Sequence, residues 1–341
     1  MYNNNMKQLN YYEKRDLNNR LKMSKYTEKL PDYCLDFFVG IENNTSSLTR
    51  YNYAMDLYVF YNYLSKYVFH KSELDITLDD LNTLKTRHLE QYLSYLSFYE
   101  QDGKAYKNDE KGKARKLASL RSFFKYLFNH DLIVANIASK IATPKLHNKE
   151  IIRLENNEVK KLMSTIENPS EFTKRQQVYN KNTYERDNAI ITLFLGTGIR
   201  ISELVGLDID SFDFEQNAFL VTRKGGNQTT LYFSDEVAEA LKKWLRKRES
   251  LELPKDEKAM FISLQNRRIS VRAVENLVKK FALIASPLKK ISPHKLRSTF
   301  GTNLYKETRD IYIVADVLGH KDVNTTKKHY AKMHDKRRKQ A

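Results

Sequence analysis

Residues 111–130, KGKARKLASLRSFFKYLFNH, carry Leu117, Leu120, Phe124 and Leu127 at three- and four-residue steps. A strand cannot use that period, whereas a helix buries it along one side. Segment 46–67 opens with capping-type residues, is dense in aromatics and contains no Gly or Pro, so it too reads as a helix. Segment 87–99 predicts another, after the turn-like TLDDLNTLK. No strand signal appears in this half, which predicts an all-helical domain over residues 26–142. The polar residues 1–25 read as a mobile tail. Residues 143–150, around Pro144, read as a linker to a second domain over 151–341. The Tyr-rich faces are expected in the core rather than as base-stacking platforms, and Cys34, beside Leu35, Phe37 and Phe38, as a small core residue. Opposite the Leu117 stripe, Arg115, Ser119 and Ser122 form either a surface for a phosphate backbone or an ordinary solvated face.

Charge narrows the partners. The 341 residues hold 59 Lys+Arg against 42 Asp+Glu, a net charge of +17. That excess points first to nucleic acid and second to an anionic membrane surface. A spanning segment is not expected: mean hydropathy is −0.65, and no apolar run approaches the roughly 20 residues a bilayer demands. The first residues lack an apolar signal core, so a cytoplasmic location is expected. A single cysteine excludes an internal disulfide and argues against a cysteine-based metal site, and nothing resembles a glycine-rich nucleotide loop. No metal and no cofactor are expected.

The second half concentrates residues suited to a phosphate. Residues 184–204, YERDNAIITLFLGTGIRISEL, read as a buried apolar helix ending at Gly196-Thr197-Gly198, followed by a new helical turn. Arg200 follows at once, with Glu203 one turn on; Glu203, a bound anion, or both would satisfy it. Residues 218–223 and 229–233 alternate as two short strands around KGGNQ, with Lys224 at the head of the turn. In SPHKLRSTF, Ser292 and Pro293 suit a helix start, and His294 and Arg297 then share one face. Beyond lie Leu318-Gly319-His320 and Tyr330. Guanidinium, imidazole and phenol together make a plausible kit for a phosphate, because Arg offers oxygen a planar fork of donors.

Taken in order, LGTGIRISEL, Lys224 in a hairpin, SPHKLRSTF, LGH and a following Tyr resemble the tyrosine recombinase (phage integrase) family. KARKLASLRSFFKYLF resembles the core-binding domain of its Xer-type members, and the likeness spans roughly residues 28 to 335. The resemblance implies a mainly α protein: a helical, SAM-like core-binding domain and a mainly helical catalytic domain with a small sheet, in a C-shaped clamp on duplex DNA. It implies a site-specific recombinase that cleaves and rejoins DNA through a 3′-phosphotyrosyl intermediate, in integration and excision or in dimer resolution. Arg200 and Arg297 would hold the scissile phosphate, and His320 would donate to a non-bridging oxygen. His294 would bond the phosphate or assist the proton leaving Tyr330, the nucleophile. Lys224 would be the general acid, although Arg223 beside it leaves the identity of that acid open. Glu203 would support Arg200. A homo- or heterotetramer on two DNA sites, with accessory factors, is implied. The competing readings are a type IB topoisomerase and a non-catalytic DNA-binding protein.

Overall fold

The structure, a computed structural model, describes residues 9–145, 152–223, 226–254, 257–320 and 322–323. The chain divides into two compact units, Met1–Asn148 and Lys149–Ala341. Among the described residues no helix is long and apolar enough to cross a membrane.

In the first unit, α1 (Tyr11–Thr27), α2 (Tyr33–Gly40) and α3 (Ser47–Leu64) precede α4 (Leu78–Thr83), α5 (Thr86–Tyr95) and α6 (Glu110–Asn129). Its core is built of aromatic rings. Phe60 lies edge-on to Tyr92 at 5.1 Å between centroids, and Phe37 edge-on to Phe123 at 5.3 Å. All four are fully buried, as is Cys34. Such edge-to-face pairs add directionality to what burial alone contributes.

Two expectations fail in this unit. Residues 11–25 are not a tail but most of α1. The Asn10 side chain accepts the Tyr12 and Glu13 N–H groups, and the Glu13 carboxylate takes the Asn10 N–H in return. That reciprocal box satisfies donors an uncapped helix leaves open. Buried Asn19 then donates to Ser47 Oγ at 3.0 Å, and Ser47 donates to Asp16 at 2.9 Å, fastening α1 to α3. The helix docks largely through polar side chains, with Met23 and Tyr26 partly buried against the core, so hydrophobic periodicity does not reveal it.

Nor is the unit all-helical. Strands β1 (Tyr99–Gln101) and β2 (Lys104–Tyr106) form an antiparallel hairpin in which Tyr99 faces Tyr106 with stacked rings. Its two-residue turn is Asp102-Gly103, both at positive φ (51° and 70°). That combination matches the right-handed twist of a tight hairpin.

In the second unit, α7 (Asn156–Glu167) leads into α8 (Lys174–Thr197), whose later turns bury Ile190, Ile191, Leu193 and Phe194 completely. After α9 (Ile201–Gly206) come β3 (Phe212–Asp213), β4 (Ala218–Thr222) and β5 (Gln228–Tyr232), an antiparallel sheet in that order. Helices α10 (Asp235–Glu249), α11 (Val271–Ala285), α12 (Pro293–Thr308) and α13 (Ile311–Leu318) complete the described elements. α7, α10 and α12 all pack on α8, while α11 packs on α7 and α13 on α12.

Candidate active site

The site is assembled by two helix ends and one helix start. α8 stops at Gly198, which adopts the left-handed conformation (φ 62°). A Cβ there would overlap the Phe300 ring of α12, so glycine is required by both backbone angle and space. The chain then enters α9 with Arg200 as its first flanking residue. The Glu203 carboxylate accepts the Arg200 backbone N–H at 2.9 Å and its Nη1 at 2.7 Å. Glu203 is 2 % exposed, a buried charge with both carboxylate oxygens bonded to Arg200. The second terminal nitrogen, Nη2, donates to the Gly319 carbonyl at 2.9 Å.

Arg297 arrives on α12, which Pro293 starts at its first turn. It is 5 % exposed; Nη1 donates to the Gly198 carbonyl at 2.6 Å and Nη2 to the Leu318 carbonyl. The two arginines, far apart in sequence, are therefore set by the same pair of helix ends. His294, one turn before Arg297, is exposed as a residue. The surrounding protein, and then the cations Lys295, Arg297 and Arg200, pull its pKa below the ordinary 6.5. Both effects favour the neutral imidazole, which can accept or donate through its ring nitrogens.

α13 ends in a turn that places His320. Gly319 is left-handed (φ 59°); its N–H bonds the Asp316 carbonyl at 2.7 Å and the His320 N–H bonds the Ala315 carbonyl at 2.9 Å. This is the Schellman arrangement, which satisfies the carbonyls of 315 and 316 and leaves those of 317, 318 and 319 for other donors. Guanidiniums supply them. Arg223, just past β4, donates Nη2 to Val317 O at 3.0 Å and Nη1 to Leu318 O at 2.9 Å; Arg297 reaches Leu318 and Arg200 reaches Gly319.

The structure thus brings together Arg200, Glu203, Arg297 and the backbone of His320, with His294 one helical turn from Arg297. Lys224 and Tyr330 lie outside the described residues. Both terminal nitrogens of Arg223 bond carbonyls of α13, so its guanidinium joins the hairpin to that turn.

The surface proposed on α6 is corrected at Ser119. Ser119 is fully buried and donates to Asp56 Oδ2 at 2.7 Å. Arg115 forks onto the same carboxylate at 2.6 and 2.8 Å, and Lys116, 4 % exposed, donates to it at 2.9 Å. Burial pulls the Lys116 ammonium below its ordinary pKa, with Asp56 opposing the shift. Ser122 remains partly open, and Arg115 keeps its side chain 49 % exposed. The buried face of α6 is wider than the Leu117 stripe, so Ser119 serves the fold, while Arg115 pairs with a buried carboxylate from an exposed position. Asp56 was the missed residue, and a signal for it existed: it is the one acid in the aromatic run of α3. A buried carboxylate requires partners.

Against this geometry, comparison with known proteins is direct. Residues 152–337 match the phage integrase family. The chain is 35 % identical over 311 residues to tyrosine recombinase XerC of Caldanaerobacter subterraneus subsp. tengcongensis, covering 89 % of this chain and 82 % of that one. It is 30 % identical over 303 residues to tyrosine recombinase XerC of Syntrophus aciditrophicus, covering 87 % and 91 %. Among solved structures, XerH site-specific recombinase bound to palindromic difH substrate shares the fold with a TM-score of 0.64 at 20 % identity, over 92 % of this chain and 90 % of that one. The Tn1549 transposon integrase in complex with circular intermediate DNA gives 0.61 at 18 % identity, over 87 % and 94 %. The chain belongs to the phage integrase family of tyrosine recombinases.

Proposed function

We propose that this enzyme cleaves and rejoins duplex DNA at specific sites, with Tyr330 as nucleophile and Arg200 and Arg297 as the clamp on the scissile phosphate. The observation that carries the assignment is the convergence of both guanidiniums on the turn that presents His320, with a buried carboxylate behind Arg200.

The chemistry follows from charge. A phosphodiester is an anion, and as the Tyr330 oxygen attacks phosphorus, negative charge grows on the non-bridging oxygens. Cationic donors fixed beforehand stabilise that state more than the ground state, and loss of one such donor typically costs about 3 kcal/mol. The bond from phosphorus to the 5′-oxygen breaks, a 3′-phosphotyrosyl ester forms, and Lys224 protonates the departing 5′-oxygen. His320 donates to a non-bridging oxygen. His294, as a neutral imidazole, bonds the phosphate or accepts the phenolic proton. Attack by the 5′-hydroxyl of a partner strand reverses the step, so the ester conserves the bond energy and no nucleotide is consumed. Strand exchange would proceed in a tetramer, of one or two kinds of chain, on two DNA sites in the cytoplasm, with accessory factors setting its direction.

The test begins with sequencing the DNA covalently captured on the protein in cells, which yields the site. On a nicked duplex carrying that site, the wild-type chain should accumulate a 3′-phosphotyrosyl adduct. Tyr330→Phe should bind the duplex equally and form none; an adduct on that variant would remove Tyr330 from the role. Lys224→Ala should recover cleavage on a 5′-thio leaving group, which departs without a proton, and failure to recover would remove the acid.

A further inference from the structure

A second cation of the hairpin has a task the chemistry above leaves unassigned. Arg223 sits at the mouth of the β4–β5 hairpin, its backbone N–H bonded to Asn227 O at 2.7 Å and its carbonyl accepting the Gly226 N–H. Its guanidinium crosses to carbonyls of α13 that are 94 and 95 residues away in sequence. Those carbonyls carry the negative end of the helix dipole, so a cation there is favoured by charge as well as by hydrogen bonding. The guanidinium lies against Gly319 so closely that a Cβ on that residue would overlap it. The space and the left-handed backbone at Gly319 are therefore used twice, once to reverse the chain into His320 and once to seat Arg223.

We propose that Arg223 is a positioning residue for DNA cleavage: it straps the hairpin to the end of α13 and thereby fixes His320 in its working place. It acts through this neighbour and makes no contact with the phosphate.

The proposal rests on the recombinase reading and is tested on the full chain with the nicked duplex described above, under single turnover. Arg223→Ala should slow adduct formation by about 10- to 100-fold, the scale of loss when a partner that orients a metal ligand is removed. Its Kd for the duplex should stay within about threefold of wild type. In a cycle with His320→Ala, the double variant should be no more than about threefold slower than His320→Ala alone, because each change spoils the same placement. A merely destabilising substitution would multiply with the histidine loss instead. Arg223→Lys keeps the charge but cannot bridge two carbonyls, so it should fall between wild type and Arg223→Ala. If Arg223→Ala does not fold, Arg223→Lys takes its place in the cycle. Wild-type cleavage by either variant, multiplying effects, or a Kd that rises in step with the rate loss each overturns the proposal. Absence of any adduct on the wild-type chain would instead sink the recombinase reading.

Discussion

Replacing Asp56 by Asn should unfold the first unit at markedly lower temperature without touching the second. The carboxylate is wholly buried and accepts hydrogen bonds from Arg115, Lys116 and Ser119. Asn would retain one acceptor oxygen, turn an NH2 toward two cations and leave both uncompensated. Arg115, whose side chain is 49 % exposed, can turn to water, whereas that of Lys116, 5 % exposed, cannot. The cost therefore sits at the lower end of the range for breaking a buried pair, about 3 kcal/mol. At about 3 °C per kcal/mol for a unit of this size, Tm should fall by about 10 °C. Two probes separate the units. The packed rings of Tyr61 and Tyr92 report the first through near-ultraviolet circular dichroism. The single tryptophan, Trp244, buried with its Nε1 on Met260 O, reports the second through fluorescence. The tyrosine transition should drop while the tryptophan transition holds. A tyrosine transition shifted by less than about 3 °C would refute the reasoning. So would Arg115→Met flattening the salt dependence of DNA binding by about one unit of log–log slope, because Arg115 would then be a phosphate contact.

Two further outcomes are expected. Glu203→Gln should slow adduct formation at least about tenfold with affinity little changed, since a buried charge-assisted bond of about 1.5–3 kcal/mol is what holds the Arg200 fork; an unchanged single-turnover rate would show that Arg200 needs no such support. His294 binds its proton less readily folded than unfolded, so its contribution to stability falls as pH drops through 6.5 toward its lowered pKa and is level well above 6.5. The Trp244 melting temperature should therefore lose less between about pH 7.5 and about pH 5.5 in His294→Gln than in wild type, by a modest amount because the residue is exposed to solvent; an equal loss in both would contradict the shift.

Much of the fold is legible in the sequence because it follows period and punctuation. Leu117, Leu120, Phe124 and Leu127 announce α6, and Pro293 and Gly198 mark a start and a stop that the structure keeps. What escapes is polar docking. α1 is fixed by Asn10, Asp16 and Asn19, residues that in a string of letters look like a solvated tail. The hairpin at 99–106 is legible in principle from Asp102-Gly103, but its strands are too short to show alternation. In the site, Arg200 with Glu203 is a local pair and can be read from a one-turn spacing. The grip of Arg223, Arg297 and Arg200 on the carbonyls of residues 317–319 cannot, because carbonyl acceptors have no letter of their own.

Gly198 sets a rule for how this site can fail. The Phe300 ring occupies the volume of its missing side chain; Arg200 follows two positions downstream on one strand of the junction, and Arg297 precedes Phe300 by one turn on the other. Any residue larger than hydrogen there pushes the two apart as a wedge would, and both guanidiniums leave together. Loss of function at this junction should be abrupt rather than graded, and no single compensating change at either arginine could restore it.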